Sequence, residues 1–320
     1  MKLLTAAAAT LFATSAFAAD VAKTVGAPPP PKPLLAWPEP NLDFTAGGFD
    51  YAAGVKLQSN YVSRGISQTA NRPSATAYGE LRYGWLYAGV QAWNVNLPTQ
   101  PMGEVDVYGG VRPVWGPLTL DVGVIGYLYP GNKFRYYLGG APAVSIWALS
   151  GGIPTTSHDP SFMEIYGKAT WQINDWIALG GALYYSPNWN NYKARALYSE
   201  LNAKLTVPDT GFALSGAFGH AYLGRSNNQY GWSYVQPFSP LGFKFASYNT
   251  WNVGASYTYK AATFDLRYHG SSLGKVACAI NTSDPAANLS TALFGFGQSS
   301  WCGHKFVAGV SIDLSSATFK

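Results

Sequence analysis

Few residues of this 320-residue chain are placed to do covalent chemistry. Its four histidines, His158, His220, His269 and His304, form no H-E-x-x-H or comparable ligand pair, so a metal enzyme has no support. No G-x-S-x-G elbow presents a nucleophilic serine, and no cofactor motif is found. One arrangement has the residue types of a hydrolase. If the turn at Pro208 to Gly211 pairs Val207 with Phe212, the same antiparallel register sets Ser199 across from His220. Both would then lie on the outward face of a sheet near its rim, as a lipid hydrolase could use them, or as an interfacial histidine beside a serine. The two cysteines, Cys278 and Cys302, end the loop between the last two periodic segments. In an oxidising compartment they are expected to form a disulfide; free thiols or a metal site fit less well, because only His304 is near and no C-x-x-C is present.

The ions are the side chains with a regular arrangement. From Phe49 to Pro73 one parity holds Phe49, Tyr51, Ala53, Val55, Leu57 and Tyr61, and the other holds Asp50, Lys56, Gln58, Asn60 and Arg64. This is the two-residue period of a β-strand whose faces meet different surroundings. Such alternation recurs in twelve segments, near 49–63, 74–84, 86–96, 103–113, 118–129, 162–173, 176–185, 197–207, 212–223, 249–260, 262–271 and 303–314. Within them Asp50, Lys56, Glu80, Arg82, Glu104, Asp106, Arg112, Asp121, Glu164, Lys168, Glu200, Lys204, Lys260, Asp265, Arg267, Lys305 and Asp313 share the polar parity, and no ion takes the other. A Lys or Arg facing lipid at the bilayer midplane costs about 2–4 kcal/mol, so this segregation is what a membrane would impose.

The elements that must position these ions are therefore the strands of an all-β, twelve-stranded antiparallel transmembrane barrel. A soluble sandwich would alternate similarly, but it would not need one face enclosed. The lumen is expected to be lined by Asp50, Lys56, Arg64, Glu80, Arg82, Glu104, Asp106, Arg112, Glu164, Lys168, Glu200, Lys204, Asp265 and Arg267. Acids and bases interleave along this face, so a pore would discriminate little between cations and anions. Connections at Gly84-Trp85, Pro113–Pro117, Asn174-Asp175, Pro208–Gly211 and Lys260-Ala261 are tight and the others mostly long, the usual pattern of periplasmic turns and outer loops. An even strand number puts both chain ends on the periplasmic side.

Composition agrees with a barrel. Tyrosine and tryptophan are abundant, charged residues make up 12%, and the mean hydropathy is near zero because apolar and polar residues alternate. The net charge of +5 comes from singly scattered Lys and Arg, so no nucleic-acid partner is indicated. Met1 to Ala18 has Lys2, an apolar run and the ending Ala16-Phe17-Ala18, the features of a cleaved secretory signal. Residues 19–48 hold Pro28 to Pro31 and further prolines, which predicts an extended periplasmic tail.

The run Tyr61, Val62, Ser63, Arg64, Gly65, Ile66, Ser67, Gln68, with Arg72 and Pro73 after it, resembles the Y-x-x-R-G-I-S-Q…P signature of the TorF-type porins of Gram-negative bacteria. Tyr87 to Val90, Glu104 to Gly110 and Val122 to Gly131 are similar to later pieces of that family in the same order. The resemblance spans residues 49–131 and departs from the family in a long insert after Pro130. It implies an outer-membrane pore but supplies no solute. Arg64 to Gln68 reads either as a lumen-facing mouth or as a structural turn, in which Gly65 allows an unusual backbone.

The functional expectation is passive diffusion of small solutes or ions across the outer membrane, with no cofactor. Outer-membrane lipids and the barrel-insertion machinery would be the partners, the latter meeting the closing strand with Phe306, Ala308, Val310, Ile312 and Leu314 on one face, although Lys320 follows the aromatic Phe319. A closed structural or adhesive barrel is the second reading and the rim hydrolase the third. Strand number does not decide, since eight-stranded barrels are filled by side chains and sixteen-stranded ones hold a water channel. Asn132 to Ser161, apolar from Phe134 to Leu149, is expected either to fold into the lumen or to form an extra hairpin above the membrane.

Overall fold

A computed structural model describes residues 48–132, 159–226, 244–284 and 298–315. The expected leader, nearly all of the proline-rich tail, most of the 132–161 insert and Phe319 lie outside the described residues.

Twelve long strands form the wall: β1 (Phe49–Gln58), β2 (Ser74–Tyr83), β3 (Leu86–Trp93), β4 (Glu104–Val111), β5 (Leu118–Leu128), β6 (Phe162–Gln172), β7 (Ile177–Trp189), β8 (Ala194–Thr206), β9 (Phe212–Leu223), β10 (Tyr248–Tyr259), β11 (Ala262–Ser271) and β12 (Lys305–Ser315). Each pairs antiparallel with its neighbours in the chain, and β1 pairs with β12, so the sheet closes on itself. Closure leaves the wall without an unpaired edge, which strands in a bilayer require.

The parity read from the sequence decides which face is buried. Val55 and Leu57 are 52% and 60% exposed, whereas Lys56 between them is 4% exposed. The same inversion runs around the wall, with Leu81, Val90, Val107, Val124, Ile165, Leu183, Leu201, Phe218, Val253 and Leu266 all exposed. Aromatic side chains stand exposed near the short-turn rim at Phe49, Tyr83, Trp171, Trp176, Phe212 and Tyr259, and near the long-loop rim at Tyr185, Tyr222 and Phe306. An apolar band between two aromatic girdles is the surface that a lipid bilayer matches.

The strands tilt. Paired positions followed from Asp50, at the short-turn end of β1, pass through Arg82, Tyr87, Gly110, Gly123, Tyr166, Tyr184, Tyr198 and Ala221 to Tyr248 at the opposite end of β10. A closed sheet must stagger its register in this way, and the tilt sets the barrel's width.

Four expectations are corrected. The first strand ends at Gln58 instead of continuing to residue 63, because the chain there leaves the wall. β7 and β8 extend well past residue 185 and before residue 197, so the expected long loop is the four-residue turn Asn190–Lys193. A register shift between Ser186 and Trp189 absorbs Pro187, and Asn190, Asn191 and Lys193 take positive φ, which asparagine tolerates. Lys260 does not join the interior ions; it occupies the turn between β10 and β11 with φ +55, exposed beside the Tyr259 ring. The loop before β12 contains an unexpected helix, α1 (Lys275–Thr282). No helix among the described residues is long and apolar enough to cross a membrane.

Candidate functional site

Toward the short turns the interior is a network of ions and tyrosines that reach along and across the wall strands. Glu80 accepts hydrogen bonds from Arg82 Nε (2.5 Å) and Arg112 Nη1 (3.0 Å). Arg112 Nε also donates to Asp121 (3.2 Å), which accepts from the Tyr87 hydroxyl and lies 3.9 Å from Lys168 Nζ. The Arg112 guanidinium stacks 4.0 Å from the centre of the Tyr87 ring, and the Tyr87 and Tyr166 hydroxyls are bonded to each other. Farther round, Arg267 donates to Asp265 (3.1 Å), Asn252 (2.6 Å) and Ser215 (2.7 Å), and Tyr78 donates to Asp313 (2.9 Å). Nearer the long loops, Glu200 accepts from Tyr198 (2.8 Å), and Asp106 is buried close to the start of β4. Asp50 and Lys204 are partly buried toward the short turns.

Glycines on the wall make room for these rings. A Cβ on Gly54 would come within 2.5 Å of the Tyr78 ring, and one on Gly123 within 2.6 Å of the Tyr166 hydroxyl. Tyr78, Tyr87, Tyr166, Tyr184 and Tyr198 were not among the expected interior residues, although all are buried. Their place on the ion-bearing parity was the available signal.

Toward the long loops a second structure fills the mouth. After Gln58 the chain turns inward, and Val62–Ser63 pairs with Ile66–Ser67 to form a small hairpin separate from the wall sheet. Its tip is Arg64-Gly65, with φ +47 and +76, a two-residue turn with positive φ at both positions whose twist suits a tight hairpin. Gly65 is required twice over, because a Cβ there would also lie 3.0 Å from Ser271 and Thr250. Arg64 reaches across to β6 and grips Glu164 with both terminal nitrogens, at 2.7 and 2.6 Å. Glu164 is fully buried and also accepts from the Tyr127 hydroxyl (3.0 Å). The guanidinium lies 4.9 Å and 4.6 Å from the ring centres of Tyr184 and Tyr198. A bidentate, charge-assisted pair flanked by aromatic faces is among the stronger polar contacts a protein makes.

The hairpin is held on two sides. Tyr61 stacks on Trp93 with ring centres 4.0 Å apart and donates to Glu104 (2.9 Å). Burial, and next the Glu104 carboxylate, push the phenols of Tyr61 and Tyr129 well above their ordinary value, so both remain donors at neutral pH. On the other side Ser67 N donates to Trp301 O (2.8 Å) and Ile66 bridges to Cys302. Cys302 is joined to Cys278 of α1 by the expected disulfide, with Cα atoms 5.9 Å apart. Arg64 is thus both of the things the sequence left open, a turn residue and an inward-facing one. Its partner, Glu164, is on a strand far across the interior. A cavity of about 200 Å³ adjoins the hairpin, bounded among others by Arg64, Glu104, Tyr127, Phe162, Trp189 and Trp301.

Ser199 does sit across from His220, as the register predicts. The imidazole Nδ1, however, bonds Asn249 Oδ1 at 2.7 Å on the opposite flank. A ring so turned is held by the neighbouring strand and is not poised on the serine hydroxyl, so the pair lacks the nucleophile–base contact.

A family model described as a bacterial protein of unknown function (Gcw_chp) matches residues 43–282. No curated protein matches the chain. Among solved structures, an outer-membrane channel from Pseudomonas putida F1 aligns at 10% identity and a TM-score of 0.42, covering 85% of this chain and 98% of its own. The KdgM porin aligns at 7% identity and 0.41, covering 82% and 98%. OmpT of Vibrio cholerae aligns at 10% identity and 0.39, covering 83% and 97%.

Proposed function

Since the chain belongs to the Gcw_chp family of bacterial proteins of unknown function, we propose from its own geometry that it is an outer-membrane channel for passive diffusion of small solutes or ions. The observation that carries this reading is the inside-out wall, with ions and tyrosines enclosed and Val, Leu, Ile and Phe exposed between aromatic rims. Water does not support so continuous an apolar surface, and lipid does. The secretory signal at Met1–Ala18 and the TorF-type signature at Tyr61–Gln68 support the same placement. Lipids and the insertion machinery are then the partners of the outer wall and of β12.

Passage is supported by the cavity sunk into the mouth and by an interior built from ionic and phenolic side chains rather than a dry apolar core. Weak charge selectivity follows from the interleaving of Glu80, Arg82, Arg112, Asp121 and Lys168, which neutralise one another instead of forming a ring of one sign. A second reading, a closed structural barrel, is favoured by the burial of Lys56, Asp106, Glu164 and Arg267. Planar-bilayer recording of the purified, heat-modifiable protein tests the two. The expected result is small stepwise currents with a reversal potential far from the Nernst limit of either ion; strong selectivity would refute the interleaving argument.

A further inference from the structure

We infer that the hairpin Tyr61–Gln68 is the gate of this channel, shut by the Arg64–Glu164 pair and tethered in the mouth by the Cys278–Cys302 disulfide. The inference rests on the channel reading and names how that site is regulated. Three observations lead to it.

First, the hairpin is no part of the wall. Its ladder is a separate sheet, and its backbone bonds to other segments run from Ser67 to Trp301 and from Asn96 to Gln68, outside the wall strands. Every wall strand is paired on both sides without it, so it can move while the barrel's hydrogen bonds stay intact. Second, it closes the interior by one long side chain. Arg64 spans from the tip to Glu164 on β6, between the rings of Tyr184 and Tyr198. Releasing that pair would let the guanidinium leave the two rings and leave the Glu164 carboxylate facing the passage. Third, the returning arm, Ile66–Ser67, is secured through a covalent link. Ile66 bridges to Cys302, and the buried Cys278 fixes that segment to α1. With the returning arm held as far as Ile66, beside the turn, the movable part is the Arg64 side chain, which can leave Glu164 while the hairpin stays in the mouth.

The opened state therefore differs from the closed one in charge as well as width. With Arg64 withdrawn, the mouth presents Glu164 without its cation, so opening should favour cations over anions. Loss of fold alone would not produce that change.

Single-channel recording on the full-length protein tests this. Arg64→Ala should raise conductance or open probability several-fold and move the reversal potential toward the cation side. Combining Arg64→Glu with Glu164→Arg should restore the low conductance of the parent, because the pair is rebuilt in reverse. Where Arg64→Ala fails to assemble, Arg64→Gln with Glu164→Gln removes both charges and should give the higher conductance without the shift in selectivity. Removing the tether with Cys278→Ser and Cys302→Ser should give frequent brief openings. If the parent conducts and neither Arg64→Ala nor the Gln pair alters its current, the hairpin is not the gate and the channel stands. If parent and variants all insert as heat-modifiable barrels and none passes current, the channel reading falls and takes the gate with it.

Discussion

The two ends of the barrel interior are held by different kinds of contact. Toward the short turns, Glu80, Arg82, Arg112, Asp121 and Lys168 pair within one wall strand or between strands at most two apart, so the network follows once the strand register is set. Toward the long loops, Arg64 and Glu164 are 100 positions apart, and Arg64 comes from a hairpin that belongs to no wall strand. The first network ties wall to wall and should govern the stability of the barrel. The second ties an insert to the wall and should govern access to the interior. Substitutions in one end should therefore leave the property of the other nearly untouched.

The largest effect on stability is expected at Arg112, whose guanidinium lies between Glu80 and Asp121. Arg112→Ala takes a shared cation from two buried carboxylates, leaving Glu80 with Arg82 and Asp121 with Tyr87 and the more distant Lys168, and breaking buried pairs costs up to about 3–5 kcal/mol. Urea unfolding in lipid vesicles should show that loss. Arg64→Ala should shift the same transition much less, because its hairpin is not part of the wall sheet. Equal shifts for the two variants would erase the distinction between the ends.

Next comes the face shared by both ends. Val55→Arg places a charge on the exposed apolar side of β1 and should cost about 2–4 kcal/mol in a bilayer, whereas Gln58→Arg, on the enclosed parity, should fold with near-parental yield. Refolding yield into vesicles, read as the heat-modifiable band on a gel, separates them. If both variants refold alike, the wall does not face lipid.

How far each end could be read from sequence follows from the same contrast. The wall was legible because a strand fixes side-chain direction by a period of two, and a bilayer punishes a wrong parity. Hence all twelve wall strands and the register of Ser199 with His220 were found, and the disulfide was expected from the compartment and the shared loop. The interior tyrosines were missed because tyrosine suits both a lipid interface and a packed interior; only the parity of Tyr166 and Tyr184 told them apart. The hairpin was less legible. Tyr61 continues the apolar parity of β1, so the period alone extends the strand past Gln58, and nothing local reveals that Arg64 will meet Glu164. The turn at Asn190–Lys193 was misread for the opposite reason, since Pro187 and the asparagines read as a loop while a register shift lets the strand continue.

Removing the tether should have a smaller and more local effect. In the chain-entropy picture a crosslink over this separation contributes about 3.5 kcal/mol, and here it constrains α1 and the hairpin and not the wall. Cys278→Ser with Cys302→Ser should speed amide exchange at Ile66, Ser67 and Trp301 while the urea midpoint of the barrel stays put. A drop in that midpoint as large as Arg112→Ala produces would mean that the cap and the wall unfold as one unit.

The smallest expected effect is at Tyr61, and it can be read through pH. Tyr61→Phe keeps the ring against Trp93 but removes the hydrogen bond to Glu104, worth about 1.5–3 kcal/mol for a bond to a charged acceptor. Docking should weaken by that amount, visible as faster exchange within Tyr61–Gln68 and nowhere in the wall. The docked phenol's pKa is raised, first by burial and then by Glu104, while an undocked tyrosine ionises near pH 10. Below about pH 10 both states keep the proton and docking is independent of pH. Above it the undocked phenol ionises and the docked one resists, so docking weakens with rising pH, by up to about 1.4 kcal/mol per unit for each such group. Tyr129 shares the same acceptor and the same upward push, so Tyr61→Phe should reduce that alkaline slope without abolishing it. NMR titration with ring-labelled tyrosine measures both. A Tyr61 resonance that ionises near pH 10, like an exposed tyrosine, would mean the hairpin spends its time outside the mouth, and the two ends of the interior would then differ because the upper one is open.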